Sequence, residues 1–368
     1  MFADYARLLW RRGTAHLDPP LLCGIVPLVL VSLLTLWSAS NADWARMDNK
    51  LFNLAVASAV LIFAANLPLA RLASVALPAY LASLVLLVLV ELFGDIRNGA
   101  QRWLDLGVIS IQPSEFMKIA LPLALAWYFD RYETALRLKN FLVAAAMFVL
   151  PVVLIAKQPD LGTALLIASS GCYVLFLAGL SWRVIVALGA AGIALLPVLW
   201  TVMHDYQKQR VLTLFDPGAD PLGAGYHTLQ STIAIGSGGL FGKGWLAGTQ
   251  THLDFLPERT TDFIFAVYAE EFGLFGALLL LLMFLFVIFR GFMITLNAPT
   301  VFTRLLAGSV TLTFFTYAFV NMGMVAGILP VVGVPLPIVS YGGTALVSLF
   351  FGFGLLMNIA TNPKLIKT

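Results

Sequence analysis

The segment Leu253–Arg290, LDFLPERTTDFIFAVYAEEFGLFGALLLLLMFLFVIFR, decides the fold. From Phe263 the chain runs apolar to Phe289, interrupted by charge only at Glu270 and Glu271. A run of that length has the reach of a membrane-crossing helix. Glu258, Arg259 and Asp262 stand at its mouth, where ionisable groups cost free energy and are usually kept for function. Asp262, Ala266 and Glu270 follow at spacings of four, which puts them on one helical face.

Working outward, similar apolar runs recur from Leu21 to Ala360, in a chain that is 60% hydrophobic and 11% charged. That composition predicts an all-α polytopic membrane protein. Ten spans are expected, at 21–38, 51–68, 73–93, 114–129, 141–157, 161–180, 183–203, 263–290, 304–327 and 338–360. The fourth carries Glu115 and Lys118, which suits the wall of a cavity better than a lipid-facing surface. The alternation of a lipid-facing β-barrel is absent.

Arg7, Arg11, Arg12, Arg71, Arg131, Arg137, Lys139, Arg183, Arg290, Arg304, Lys364 and Lys367 all fall on one side of this scheme, 12 of 22 basic residues. The short loops opposite hold five: Arg46, Lys50, Arg97, Arg102 and Lys157. The positive-inside rule therefore puts both termini in the cytoplasm. The acids lean the other way. Only Asp4, Asp18, Asp130 and Glu133 of 19 are on the cytoplasmic side, which reads as a working face outside. No cleavable signal peptide is visible, and no basic tract points to nucleic acid. Cys23 and Cys172 sit in separate spans, so neither a disulfide nor a metal framework is expected. His16, His204, His227 and His252 lack metal-ligand spacing.

The whole of 1–368 reads as one membrane domain with one long outer loop, roughly 204–262. This loop is too rich in apolar residues for disorder, and Tyr226–Ile235 suits a short amphipathic helix at the interface. Its run Gly236–Gly244 resembles a nucleotide-binding loop only superficially. Ser237 stands where the first glycine is required, and Gly244 where Ser or Thr must follow the lysine. A flexible cover over a substrate fits it better. The Gly- and Pro-punctuated segments 112–115, 158–162 and 327–337 fall on the same outer side and are expected to converge on one cavity.

Each candidate residue has a bland account beside its functional one. Asp262 is a base or charge stabiliser, or a helix cap favoured by the dipole. Glu115 and Lys118, three apart on one face, are a polar floor for an anionic substrate or a self-satisfying ion pair. Asp160 is a site residue or a cap. Arg102, beside Trp103, contacts phosphate or anchors at the interface. Glu270 and Glu271 line a cavity or pair with a buried cation.

The segments NGAQRWLDLG and QPSEFMKIA (98–120), QPDLGTALL (158–166), DPLGAGYHTLQSTIAIGSGGLFGKGWLAGTQ (220–250), the opening segment itself, and VNMGMVAGILPVVGVPLPIVSYGGTALVSL (320–349) together resemble the SEDS family of bacterial wall synthesis. GKGWLAGTQ, FLPERTTDFIFAV and LPVVGVPLP look like its elongation branch more than its division branch. Thr260 stands where that branch usually has His.

The resemblance implies a single ten-span domain in the bacterial inner membrane, with its active site facing outward. It implies an inverting peptidoglycan glycosyltransferase that polymerises lipid II into β-1,4 strands, releasing undecaprenyl diphosphate, for elongation and rod shape. It places the catalytic aspartate at Asp262 and supporting residues at Glu115, Lys118 and Asp160. Arg102, Arg210, Lys243 and Arg259 are added here as phosphate contacts, with Glu258 and Glu270 as further substrate-site acids. A class B penicillin-binding protein and other elongation-complex membrane proteins are the implied partners. No cofactor is required by this reading, and a divalent cation held with the diphosphate stays open. A lipid II flippase and a non-catalytic scaffold are the competing readings. The first predicts inverted repeats, which are not evident.

Overall fold

The computed structural model describes residues 15–97, 100–105, 107, 110–132, 138–203, 205–216, 224–253, 255–256 and 258–362. Arg7, Arg11, Arg12, Arg137, Lys364 and Lys367, which help set the expected orientation, lie outside these, as do Asp4, Glu133 and His204. In chain order the elements are α1 (Pro19–Ala39), α2 (Trp44–Ala65), α3 (Leu69–Phe93), β1 (Asp95–Arg97), β2 (Ala100–Asp105), β3 (Ser110–Ile111), α4 (Pro113–Arg131), α5 (Leu138–Lys157), α6 (Leu161–Leu177), α7 (Trp182–Val202), α8 (Asp205–Phe215), α9 (Ala224–Ser237), α10 (Thr249–His252), α11 (Ile264–Asn297), α12 (Val301–Val325) and α13 (Thr344–Thr361).

Each expected span overlaps a helix, although the tenth, expected from 338, becomes helical only at Thr344. Seven of them (α1, α2, α3, α5, α11, α12 and α13) are long and apolar enough to cross a membrane, while α6 and Trp182–Leu195 of α7 are apolar over shorter lengths. α4 buries twelve of its nineteen residues, among them Glu115 and the run Ala120–Ala126, as a helix carrying charge in an apolar bundle must. α12 is the hub, packed on α4, α6, α11 and α13, and small residues such as Ala307, Gly308 and Ser309 allow the close approach. α2 packs along α13, and α3 along α4. None of the described side chains of α7 is buried.

Three features depart from the sequence reading. The all-α reading assigned no strands, yet between α3 and α4 β1, β2 and β3 form a small antiparallel sheet, with Asp95 opposite Trp103 and Leu104 opposite Ile111. The second span starts at Trp44 rather than 51, capped by Asp43, whose side chain accepts from the Ala45 amide. Lys50 is therefore not an outer-loop residue but lies fully buried inside α2.

The third departure concerns the glycine-rich run. α11 breaks at Gly273, which holds φ 66°. A break frees carbonyls and amides that must find partners at membrane depth. The run supplies them: Lys243 and Gly244 amides donate to the Glu270 and Glu271 carbonyls, each at 3.0 Å. In return, the Leu274 and Phe275 amides donate to the Gly239 and Leu240 carbonyls. A Cβ at Gly242 would fall on the Glu271 carbonyl, so glycine is required there. The run is thus bolted to α11 instead of forming a flexible cover.

Candidate functional site

At one end of the bundle, the α6 N-terminus, the start of α4, strand β2 and the segment 333–335 enclose a polar cavity of about 190 Å³. Four of the expected residues line it: Arg102, Glu115, Lys118 and Asp160. Asp160 caps α6, accepting from the Thr163 amide at 3.1 Å, and faces the Arg102 guanidinium at 3.7 Å. Gln112 reaches the same carboxylate at 3.4 Å. Capping and cavity lining are both true of Asp160. Arg102 is held by a 2.6 Å bond to the Pro159 carbonyl.

Glu115 and Lys118 also line this cavity. They pair at 2.6 Å, and Ser348 of α13 donates to the second Glu115 oxygen at 2.7 Å. The Lys118 ammonium sits 5.4 Å from the ring centroid of Tyr317. The ion pair expected from their spacing is present, and it is also a wall of the cavity.

Asp262 precedes α11 in the turn 258–263. It caps nothing: the cap position is Phe263, with no side-chain cap bond. The turn is fixed through its backbone. Asn321 of α12 donates to the Asp262 carbonyl at 2.8 Å and the Val334 carbonyl at 2.7 Å. Ser340 donates to the Thr261 carbonyl at 2.6 Å, and the Tyr341 amide to the Thr260 carbonyl at 2.8 Å. The carboxylate faces Gly333 so closely that a Cβ there would lie 3.4 Å from its Oδ2. Gly333 also lines the Arg102–Lys118 cavity, so Asp262 and that cavity meet across one glycine.

Burial pushes the Asp262 carboxyl up to about 6, with Glu258 adding to the rise and Arg210 of α8 opposing it. Arg210 and Glu258 thus belong to the electrostatic surroundings of Asp262. Glu258 itself is exposed and accepts from the Thr261 hydroxyl at 2.9 Å.

Three expected residues are not brought to the cavity. Glu270 is fully buried and turned toward the loop, where it pairs with Lys243 at 2.8 Å and accepts from the Gln250 amide at 2.9 Å and the Thr251 hydroxyl at 3.1 Å. The shared face with Asp262 does not form, because the helix begins only at Ile264. Arg259 donates to the Thr251 carbonyl. Lys243, Glu270 and Arg259 hold the outer loop together.

Lys50, Gln112, Asn321, Ser340 and Ser348 were not among the candidate site residues of the sequence reading. Asn321 and Ser340 were legible in principle as polar residues in the apolar stretch 320–349, where each must find a partner.

The fold and site define a polytopic helical membrane protein with a charged, partly closed cavity beside a largely buried aspartate. The family model of the cell cycle proteins FtsW, RodA and SpoVE matches residues 19–365. The chain is 52% identical over 353 residues to the peptidoglycan glycosyltransferase MrdB of Escherichia coli K12, covering 96% of this chain and 95% of that one. The Thermus thermophilus rod shape determining protein RodA superposes with a TM-score of 0.71 at 30% identity, covering 94% and 96% of the two chains. A chain from a peptidoglycan synthase complex that coordinates polymerization and crosslinking gives a TM-score of 0.82 at 31% identity, covering 94% and 97%. The chain belongs to the FtsW/RodA/SpoVE family.

Proposed function

We propose that this chain polymerises lipid II at the outer end of the bundle, with Asp262 taking the proton of the acceptor hydroxyl. Glycosyl transfer in peptidoglycan synthesis for rod shape is the activity of the protein, consistent with relatives that span nearly the whole chain. The observation that carries the site reading is the meeting of Asp262 with the charged cavity across Gly333.

In the proposed step the acceptor's 4-hydroxyl oxygen bonds to C1 of the donor sugar. The C1–O bond to the diphosphate breaks, and its electron pair leaves with undecaprenyl diphosphate. The hydroxyl proton passes to Asp262. Attack from the face opposite the leaving group inverts the anomeric centre. A carboxylate held near pH 6 is a stronger base than an ordinary one and is still mostly ionised at neutral pH. Arg102 and Lys118 are the cations available to the diphosphate, and preorganised positive charge acts most strongly where water is excluded. Asp160 holds Arg102, and Glu115 holds Lys118. Among the described residues no three His, Cys, Asp or Glu side chains are grouped to hold a metal.

The reading includes an inner-membrane protein working with a class B penicillin-binding protein, supported by the similarity to a synthase complex. The test is polymerisation of labelled lipid II by the purified protein with that partner, its transpeptidase blocked by a β-lactam. Wild type should make glycan strands. A folded, partner-binding Asp262→Ala should make none, and strands formed at the wild-type rate would move the base elsewhere.

A further inference from the structure

Lys50 is among the largest fully buried side chains of the molecule. Its ammonium donates to the Ile338 and Ser340 carbonyls, each at 2.8 Å, and it forms no ion pair among the described residues. An ammonium taken out of water without a counterion is costly, and a neutral donor would satisfy two carbonyls without that cost. Two bonds of 2.8 Å from one side chain tie these carbonyls to α2.

What it grips is unusual. Ile338 is β-branched yet holds φ 68°, a conformation such residues avoid unless their surroundings impose it. Ser32 of α1 donates to the Ile338 carbonyl at 2.9 Å and the Val339 carbonyl at 3.0 Å. Three successive carbonyls therefore turn inward toward α1 and α2. Ser340, whose carbonyl Lys50 holds, passes its hydroxyl to the Thr261 carbonyl, directly before Asp262. The next amide, Tyr341, bonds to Thr260. The same segment begins at Gly333, against the Asp262 carboxylate.

We propose that Lys50 is a positioning residue for glycosyl transfer: by clamping the carbonyls of Ile338 and Ser340 it fixes the 333–341 segment that sets the orientation and enclosure of Asp262. The proposal rests on the reading of Asp262 as the proton acceptor. Lys50 touches neither substrate nor reacting atoms. It acts through Ser340 and Thr261. An inert staple would govern only how much protein folds, whereas a clamp on the site governs the rate of each folded molecule.

The experiment compares Lys50→Met, Ser340→Ala and Asp262→Ala with wild type, each with the partner protein, in lipid II polymerisation from pH 5 to 8. Rates are scaled to the folded fraction measured by size-exclusion chromatography. Folded Lys50→Met is expected to lose about tenfold or more in kcat, because small misplacements of reacting groups cost at least that. KM should stay within about twofold, since ground-state binding is not removed. The rising limb of its pH profile should shift to lower pH as water reaches Asp262. An unchanged kcat per folded molecule overturns the proposal, and so does a lowered kcat with the limb unmoved. If Lys50→Met does not fold, Ser340→Ala decides: the same loss and limb shift support the clamp, and wild-type kcat overturns it. Wild-type rate in Asp262→Ala refutes the catalytic reading of Asp262 itself, and is read separately from the Lys50 and Ser340 results.

Discussion

The proposed role of Asp262 depends on its surroundings. Its carboxyl is raised to about 6, so a base role makes the rate climb as pH rises toward 6 and level off above it. Measured kcat/KM from pH 5 to 8 should show one rising limb near that value, and a flat profile would remove Asp262 as the base. The same shift has a stability consequence of opposite sense. Between the ordinary value of 3.8 and about 6 the folded protein holds a proton that the unfolded chain releases, so stability falls as pH rises through that window. Asp262→Asn, permanently neutral, should therefore melt higher than wild type above pH 6. A gain of roughly 1–2 kcal/mol is expected after discounting for partial exposure, shrinking toward nothing at acid pH. Loss of activity combined with gain of stability separates a working residue from a structural one. At this scale the sequence was most legible where a motif fixed a position, as with Asp262, Asp160, Glu115 and Lys118. It was least legible where a residue's role depends on a distant partner. Lys50 meets Ile338 and Ser340, and nothing at position 50 announces segment 338–340.

The elements were readable from hydropathy because a bilayer demands long apolar helices, but their irregularities were not. The break at Gly273 depends on Lys243 and Gly244 arriving from another segment to take up the freed carbonyls. Hydropathy says nothing of backbone pairing across 30 residues of sequence. The packing does have measurable consequences. Gly242 holds φ 80° against the Glu271 carbonyl, so Gly242→Ala should lower stability by about 2–3 kcal/mol, from backbone strain and overpacking. A melting temperature equal to wild type would show that the loop does not depend on this contact. The Lys243–Glu270 pair gives a sharper case, because one partner is fully buried. Lys243→Met leaves a buried carboxylate uncompensated and should cost more than the double variant Lys243→Met/Glu270→Gln, by about 1–3 kcal/mol. A double-variant cost equal to the sum of the two single-variant costs would mean the two side chains do not interact.

For the whole molecule, charge distribution and architecture point the same way. At one end, Asp18 caps α1 and also takes Arg290 of α11 in a two-bond pair at 2.9 and 2.6 Å, while Asp130 accepts from the Phe302 amide at the start of α12. These acids are spent on tying helix ends together. At the other end lie Asp262, Asp160, Glu258 and the cavity, where carboxylates outnumber structural needs. The acid asymmetry seen in the sequence therefore has a structural counterpart: one end is fastened and the other holds the proposed site. The positive-inside rule assigns the fastened end to the cytoplasm, which makes a direct prediction. In a Cys23→Ser, Cys172→Ser background, a cysteine at the exposed Phe241 should react with a membrane-impermeant maleimide in cells whose outer layers are opened but whose inner membrane is intact. A cysteine at Asn297, exposed at the end of α11, should react only after that membrane is breached. The reverse pattern would put Asp262 on the cytoplasmic side. There no lipid-linked sugar could be polymerised into the outer wall, so inverted labelling would undo the proposed site along with the orientation.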